Sequence, residues 1–178
     1  MKEILIVVDM QNDFITGSLG SADALAIVPA VVQEIKSGRY AKIIATADTH
    51  HADYLSTLEG RKLPVPHCLE FSQGWMLHEE IEKALNGKEA TICRKPTFGD
   101  IRLCEDLRAL VRQNPAEDYS FTLVGVCTDI CVVSNAVMLR AYLPDNEIRV
   151  LSGACAGTTP QAHAAALQTM QSCQIDVV

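Results

Sequence analysis

The stretch LVGVCTDICVV places two thiols, Cys127 and Cys131, four residues apart. A cysteine attacks carbon only as its thiolate, so its surroundings decide whether it is a nucleophile or inert core. Thr128 or Asp129 makes a good N-cap, and CVVSNAVMLRAYL continues as a helix, which puts Cys131 in the first helical turn. Unpaired N–H groups and the positive end of the helix dipole favour a thiolate there and predict a lowered thiol pKa. The same N–H groups would stabilise an oxyanion once the thiolate attacks a carbonyl. Cys127 precedes the helix, where its side chain gains none of this. Cys131 is therefore the candidate nucleophile, and Cys127 a small residue lining the turn.

A thiol needs a base and gains from a cation. Asp9 ends the apolar run ILIVVD and Lys95 ends ATICRK. An aspartate after a strand is commonly a turn former, and a lone lysine is commonly a solvated surface charge. Three strand ends that deliver a carboxylate, an ammonium and a thiol to one sheet edge are less ordinary. Asp9 would take the thiol proton and later return it to a leaving amine, and Lys95 would favour the thiolate. The set suits acyl transfer: attack on an amide, loss of ammonia, and hydrolysis of a thioester.

A second set lies in DTHHADYLSTLEGRKLPVPHC, residues 48–68. Asp48, His50, Glu59 and His67 are ligands for a divalent metal of borderline softness, most simply zinc, with iron and manganese as alternatives. The other reading is a surface loop whose polar residues only cap and turn. His51 adjoins His50 and is expected to point away, while His78 and His163 fall in helical segments as surface or packing residues.

Short β-branched runs at 4–9, 41–48, 90–95, 120–126, 147–154 and 175–178 alternate with helical periodicity at 24–38, 75–86, 100–113, 130–143 and 159–173. The strands are nearly continuous apolar runs, as in a parallel sheet buried on both faces. The pattern predicts one α/β domain over residues 1–178: a doubly wound, six-stranded, mainly parallel sheet with helices on both faces. Ligands of such sheets bind beyond the carboxyl ends of the strands, where Asp9, Asp48, Lys95 and the CTDIC turn all fall. The connection 49–74 is longer than a compact domain normally carries without a purpose.

With these residues in place, the chain resembles the isochorismatase-like cysteine hydrolase superfamily, and within it the nicotinamidases. ILIVVDMQNDF is similar to that family's first strand, with Asp9 as its catalytic aspartate and Phe14 as an aromatic against the substrate ring. RKPTFGD supplies the lysine, Lys95, and GVCTDICV resembles the nucleophile turn around Cys131. The resemblance implies a cis peptide before Cys127 and an oxyanion hole formed by the N–H groups of Cys127 and Cys131. It further implies that Asp48, His50 and His67 hold the metal, with Glu59 like the extra carboxylate of some members. HCLEFSQGW departs from the family's usual turn after the second histidine, and Trp75 is a candidate for the pocket wall.

The net charge of −7 and the absence of any basic run argue against nucleic acid or anionic membrane as partners. The expected partner is a small amide, and a homo-oligomer is compatible with the composition. Seven scattered cysteines without a framework spacing predict free thiols and a cytoplasmic protein. Rival readings are a metal-independent amidohydrolase, a receiver-like signalling domain and a silent binding domain. No G-x-G-x-x-G follows the first strand, which argues against a dinucleotide module.

Overall fold

Six parallel strands form one sheet in the computed structural model, which describes residues 1–178: β1 (Lys2–Val8), β2 (Lys42–Asp48), β3 (Ala90–Lys95), β4 (Tyr119–Val126), β5 (Glu147–Ala156) and β6 (Asp176–Val177). Their order is β3-β2-β1-β4-β5-β6, so the chain reverses its direction of growth between β1 and β4. A crevice opens beyond the carboxyl ends of such a pair because the connections leave toward opposite faces.

The helices are α1 (Asn12–Ile15), α2 (Ala22–Ala26), α3 (Val28–Lys36), α4 (Leu58–Lys62), α5 (Glu79–Leu85), α6 (Ile101–Gln113), α7 (Val133–Tyr142) and α8 (Pro160–Ser172). Alternate residues of β1 feed two cores. Ile4, Ile6 and Val8 pack with Leu103 and Leu107 of α6, Ala136 and Leu139 of α7 and Met170 of α8. Leu5 and Val7 pack with Val31 and Ile35 of α3 and Ile81 and Ala84 of α5. Burial on both faces explains why β1, β2 and β4 read as nearly unbroken apolar runs, whereas the edge strand β3 is largely exposed. No helix is long and apolar enough to cross a membrane, and all seven cysteines are unpaired.

Three expected helices are corrected. The segment 24–38 divides at Ile27, since Pro29 lacks an N–H and its ring would meet the carbonyl four residues back. The segment 75–86 becomes helical only at Glu79, behind a His78 cap. Its first residues instead run against the start of α1: Asn12 N–H donates to Met76 O at 2.9 Å, Asp13 N–H to Gly74 O at 3.0 Å, and His78 N–H to Met10 O at 2.9 Å. The segment 130–143 opens with a π-helical turn, Thr128–Val132, before α7. The long connection holds a 3₁₀ turn at Tyr54–Ser56 and α4, whose N-cap Thr57 accepts from Gly60 N–H.

Gly125 sets how closely β4 approaches β1. Its φ is +117°, and a Cβ there would lie 2.2 Å from the Val8 carbonyl oxygen. Gly125→Ala should therefore lower stability by about 3 kcal/mol or more, from strained backbone together with a backbone clash. A urea midpoint unchanged from the unsubstituted chain would contradict this account.

Candidate active site

Asp9, Lys95 and Cys131 come together at the crevice from the ends of β1, β3 and β4, and all three are buried. Lys95 Nζ lies 2.7 Å from Asp9 Oδ2, 3.3 Å from Asp48 Oδ1 and 3.6 Å from Cys131 Sγ, and it donates to Thr97 O at 3.1 Å. Burial disfavours the ammonium, but the charges of Asp9 and Asp48 outweigh it and hold Lys95 charged.

Asp9 takes the left-handed backbone conformation, with φ +49°, which turns the chain out of β1. Its Oδ1 accepts from Thr46 Oγ1 at 2.6 Å, and Thr46 in turn accepts from Asp9 N–H at 3.1 Å. Oδ2 has the Lys95 ion pair but no hydrogen bond of good geometry. Burial raises the Asp9 pKa, with Lys95 opposing. A carboxylate raised in this way is a better proton acceptor than a solvated one.

The resting thiol differs from the sequence expectation. Burial pushes the Cys131 pKa well up, the Asp9 charge adds to this, and Lys95 pulls the other way. Desolvation of an almost fully enclosed sulfur wins, so the thiol rests protonated beside a carboxylate rather than as a free thiolate. Cys127 lines the same cavity, and burial pushes its thiol up to about 12. The peptide Val126–Cys127 is cis. The Cys127 N–H donates to no backbone or side-chain acceptor, while the Cys127 carbonyl accepts from Ile130 N–H and Val132 N–H, both at 3.0 Å.

Asp48, His50, Glu59 and His67 meet beside this cluster, with one donor atom from each inside a span of 4.8 Å. Asp48 Oδ2 is 3.1 Å from His50 Nε2 and 3.6 Å from His67 Nε2; Glu59 Oε1 is 3.5 and 3.8 Å from the same nitrogens. Ligand bonds of about 2.0–2.2 Å around a tetrahedral or octahedral ion require neighbouring donors about 2.9–3.5 Å apart. His50 Nε2 is buried with no hydrogen-bond partner, although Asp48 Oδ2 is close enough to be one. Such a pair, close together with no hydrogen bond of good geometry between them, fits two ligands of one metal ion.

The surroundings orient the donors. His67 Nδ1 lies 2.9 Å from Val65 O; donation of its proton there leaves Nε2 with a lone pair for the ion. Tyr54, fully buried, packs on both imidazoles at centroid distances of 4.7 and 5.0 Å, and Phe14 meets His67 at 5.5 Å. Gln11 fixes the Asp48 backbone: Oε1 accepts from Asp48 N–H at 2.7 Å, and Nε2 donates to Asp48 O at 2.8 Å. Asp48 thereby joins the two sets, with Oδ1 toward Lys95 and Oδ2 toward the histidines.

Cys131 of the first set and Asp48, Glu59 and His67 of the second line one cavity of about 330 Å³, whose wall also includes Phe14, Leu19, Ala24, Leu63, Phe98, Cys127, Ile130 and Thr158. Trp75 is not part of this wall, which corrects the expectation for it. Its indole N–H donates to Thr49 Oγ1 at 2.9 Å, and Arg94 stacks over its ring at 4.8 Å, so it braces the strand end between two metal-set residues. His51 is exposed and faces Glu70, away from the donors.

The model of the isochorismatase domain matches residues 3–178. The chain belongs to the isochorismatase family. A nicotinamidase of Schizosaccharomyces pombe is 26% identical to it over 212 residues, covering 98% of this chain and 91% of the relative. The crystal structure of a Bacillus subtilis nicotinamidase/pyrazinamidase superposes with a TM-score of 0.82 at 27% identity, covering 100% of both chains. The Pyrococcus horikoshii pyrazinamidase, solved in complex with zinc, gives 0.77 at 27% identity over 100% of this chain and 99% of that one. Within the isochorismatase family, then, the similarity of this member is to nicotinamidases, and the receiver-like reading is overturned.

Reading the sequence of this isochorismatase-family chain missed Gln11, Thr46, Tyr54, Leu63 and Phe98. Thr46 carries a signal in retrospect, because its side chain lies two residues before Asp48 on the same face of β2. The others sit in irregular segments, where spacing says nothing about direction.

Proposed function

We propose that this chain is a nicotinamidase, hydrolysing nicotinamide to nicotinate and ammonia through a thioester on Cys131. The observation that carries the reading is that Cys131, backed by buried Asp9 and Lys95, lines the same largely apolar cavity as Asp48, Glu59 and His67 of the four-donor metal set. The enzyme is an amidohydrolase. Asp48, His50, Glu59 and His67 would hold a divalent ion such as zinc, iron or manganese, which when bound would supply a Lewis acid for a ring nitrogen.

The residues of the chain account for the acyl chemistry. Phe14 and the apolar wall hold the ring and exclude water, bringing the carboxamide carbon to Cys131 Sγ. Asp9 Oδ2, free of a hydrogen bond, takes the thiol proton as sulfur adds to the carbonyl. The unoccupied Cys127 N–H, with that of Cys131, faces the oxyanion. Asp9 returns the proton to nitrogen as the C–N bond breaks and ammonia leaves. Water then gives a proton to Asp9 and its oxygen to the thioester carbon, and the C–S bond breaks to restore the thiol. Lys95 stays charged throughout, holding Asp9 and Asp48 in place.

Purified protein should release ammonia from nicotinamide in step with nicotinate. Asp9→Asn should lower this rate by about 10²–10⁴-fold through loss of the proton acceptor. The same variant should be alkylated by iodoacetamide at least as fast as the parent at neutral pH, because the Asp9 charge raises the thiol pKa. Lys95→Ala should slow alkylation, since its ammonium favours the thiolate. Undiminished hydrolysis in Asp9→Asn would remove it from the role of base.

A further inference from the structure

His163 lies outside the cavity just described, yet it reaches the nucleophile turn from behind. Thr128 is fully buried, and its hydroxyl has one partner, His163 Nδ1 at 2.8 Å. The next residue, Asp129, is tied to the same side of the molecule: its carboxylate accepts from Thr158 N–H at 2.8 Å and from Thr158 Oγ1 at 2.5 Å. Gly157 lies between these contacts. A Cβ on Gly157 would come within 2.8 Å of both Asp129 Oδ1 and His163 Cβ, so the β5–α8 loop presses directly on the turn. Thr159 caps α8 by accepting from Ala162 N–H at 3.1 Å, and Pro160 pre-sets its first turn, which fixes where His163 stands.

We propose that His163 is a positioning residue that sets the orientation of the nucleophile turn through Thr128. The inference rests on the reading of Cys131 as nucleophile and of the Cys127 and Cys131 N–H groups as oxyanion donors. Thr128 follows one of these donors directly, and the π-helical geometry of residues 128–132 leaves the turn without a regular α-helical ladder of its own. Its direction is therefore set by what holds it: His163 through Thr128, and Thr158, a residue of the cavity wall, through Asp129. A donor misdirected by a fraction of an ångström weakens the transition state and leaves ground-state binding of the ring alone.

The test compares His163→Leu with His163→Asn, whose amide places a polar atom at the same reach as Nδ1. His163→Leu should lower kcat about tenfold with KM within about twofold, a split expected of an interaction made in the transition state. It should weaken binding of pyridine-3-carbaldehyde, which adds to the thiol as an oxyanion-bearing hemithioacetal, by a similar factor. Alkylation of Cys131 by iodoacetamide should change little. His163→Asn should restore both quantities to within about threefold of the parent. Thr128→Val, close in shape and lacking the hydroxyl, should reproduce the leucine variant, and the double variant should be no worse than either single one.

Unchanged kcat and aldehyde affinity in both His163→Leu and Thr128→Val would overturn the proposal. So would parallel loss in the leucine and asparagine variants, since bulk rather than the hydrogen bond would then be at work. Should His163→Leu fail to fold, Thr128→Val and His163→Asn carry the same comparison. A parent chain that neither hydrolyses nicotinamide nor binds the aldehyde would overturn the functional reading itself, and the clasp with it.

Discussion

Cys131→Ala is expected to lower kcat by about 10³-fold or more, while Cys127→Ala retains most of it. The two thiols line one cavity, and burial raises the pKa of both, so acidity does not distinguish them. Position does. Cys131 Sγ lies 3.6 Å from Lys95 Nζ, and the Asp9 carboxylate, its Oδ2 without a hydrogen bond, is the proposed base. The role assigned to Cys127 is carried by its backbone N–H, which alanine keeps. Steady-state kinetics together with mass spectrometry of an acyl adduct would check this. An adduct on Cys127, or full turnover by Cys131→Ala, would reverse the assignment.

Removal of one metal ligand should have the second large effect. The parent should carry about one divalent ion per chain, as a preformed N/O site does. His67→Ala should carry far less, by elemental analysis, because three donors would remain and the Val65 carbonyl would lose the group it orients. The ring nitrogen of nicotinamide is its one Lewis-basic atom remote from the carboxamide, so benzamide should be hydrolysed about 100-fold less efficiently by the parent. Metal content and substrate preference are separate readouts. Metal-free protein that turned over both amides alike would favour the metal-independent amidohydrolase instead.

The central strands were legible because a two-sided parallel strand is nearly all apolar, the edge strand β3 by its β-branched run, and each prediction lands within a few residues of the strand observed. Helix boundaries were less so. The helix expected over 24–38 ran through Pro29, a local breaker, whereas the departure of residues 74–78 from helix has no local signal, because their hydrogen bonds go to residues 10–13. Trp75 illustrates the same limit: an aromatic near a site can line it or brace it, and only the Thr49 contact distinguishes the two.

The sequence by itself determined the class of fold, the strand ends that carry Asp9, Asp48, Lys95 and the thiol turn, and which residue types were present to act. Those are consequences of periodicity and chemistry, both written locally along the chain. Tertiary structure alone decided the strand order that brings β1 beside β4, and hence Asp9 beside Cys131. It also brought Glu59 and His67 back from a long loop to Asp48 and His50. The protonation of the thiol was decided there too. A neighbouring lysine lowers a thiol's pKa, but burial, with the Asp9 carboxylate adding to it, raises that of Cys131 further. Burial belongs to the whole packed molecule, so no stretch of sequence carries it.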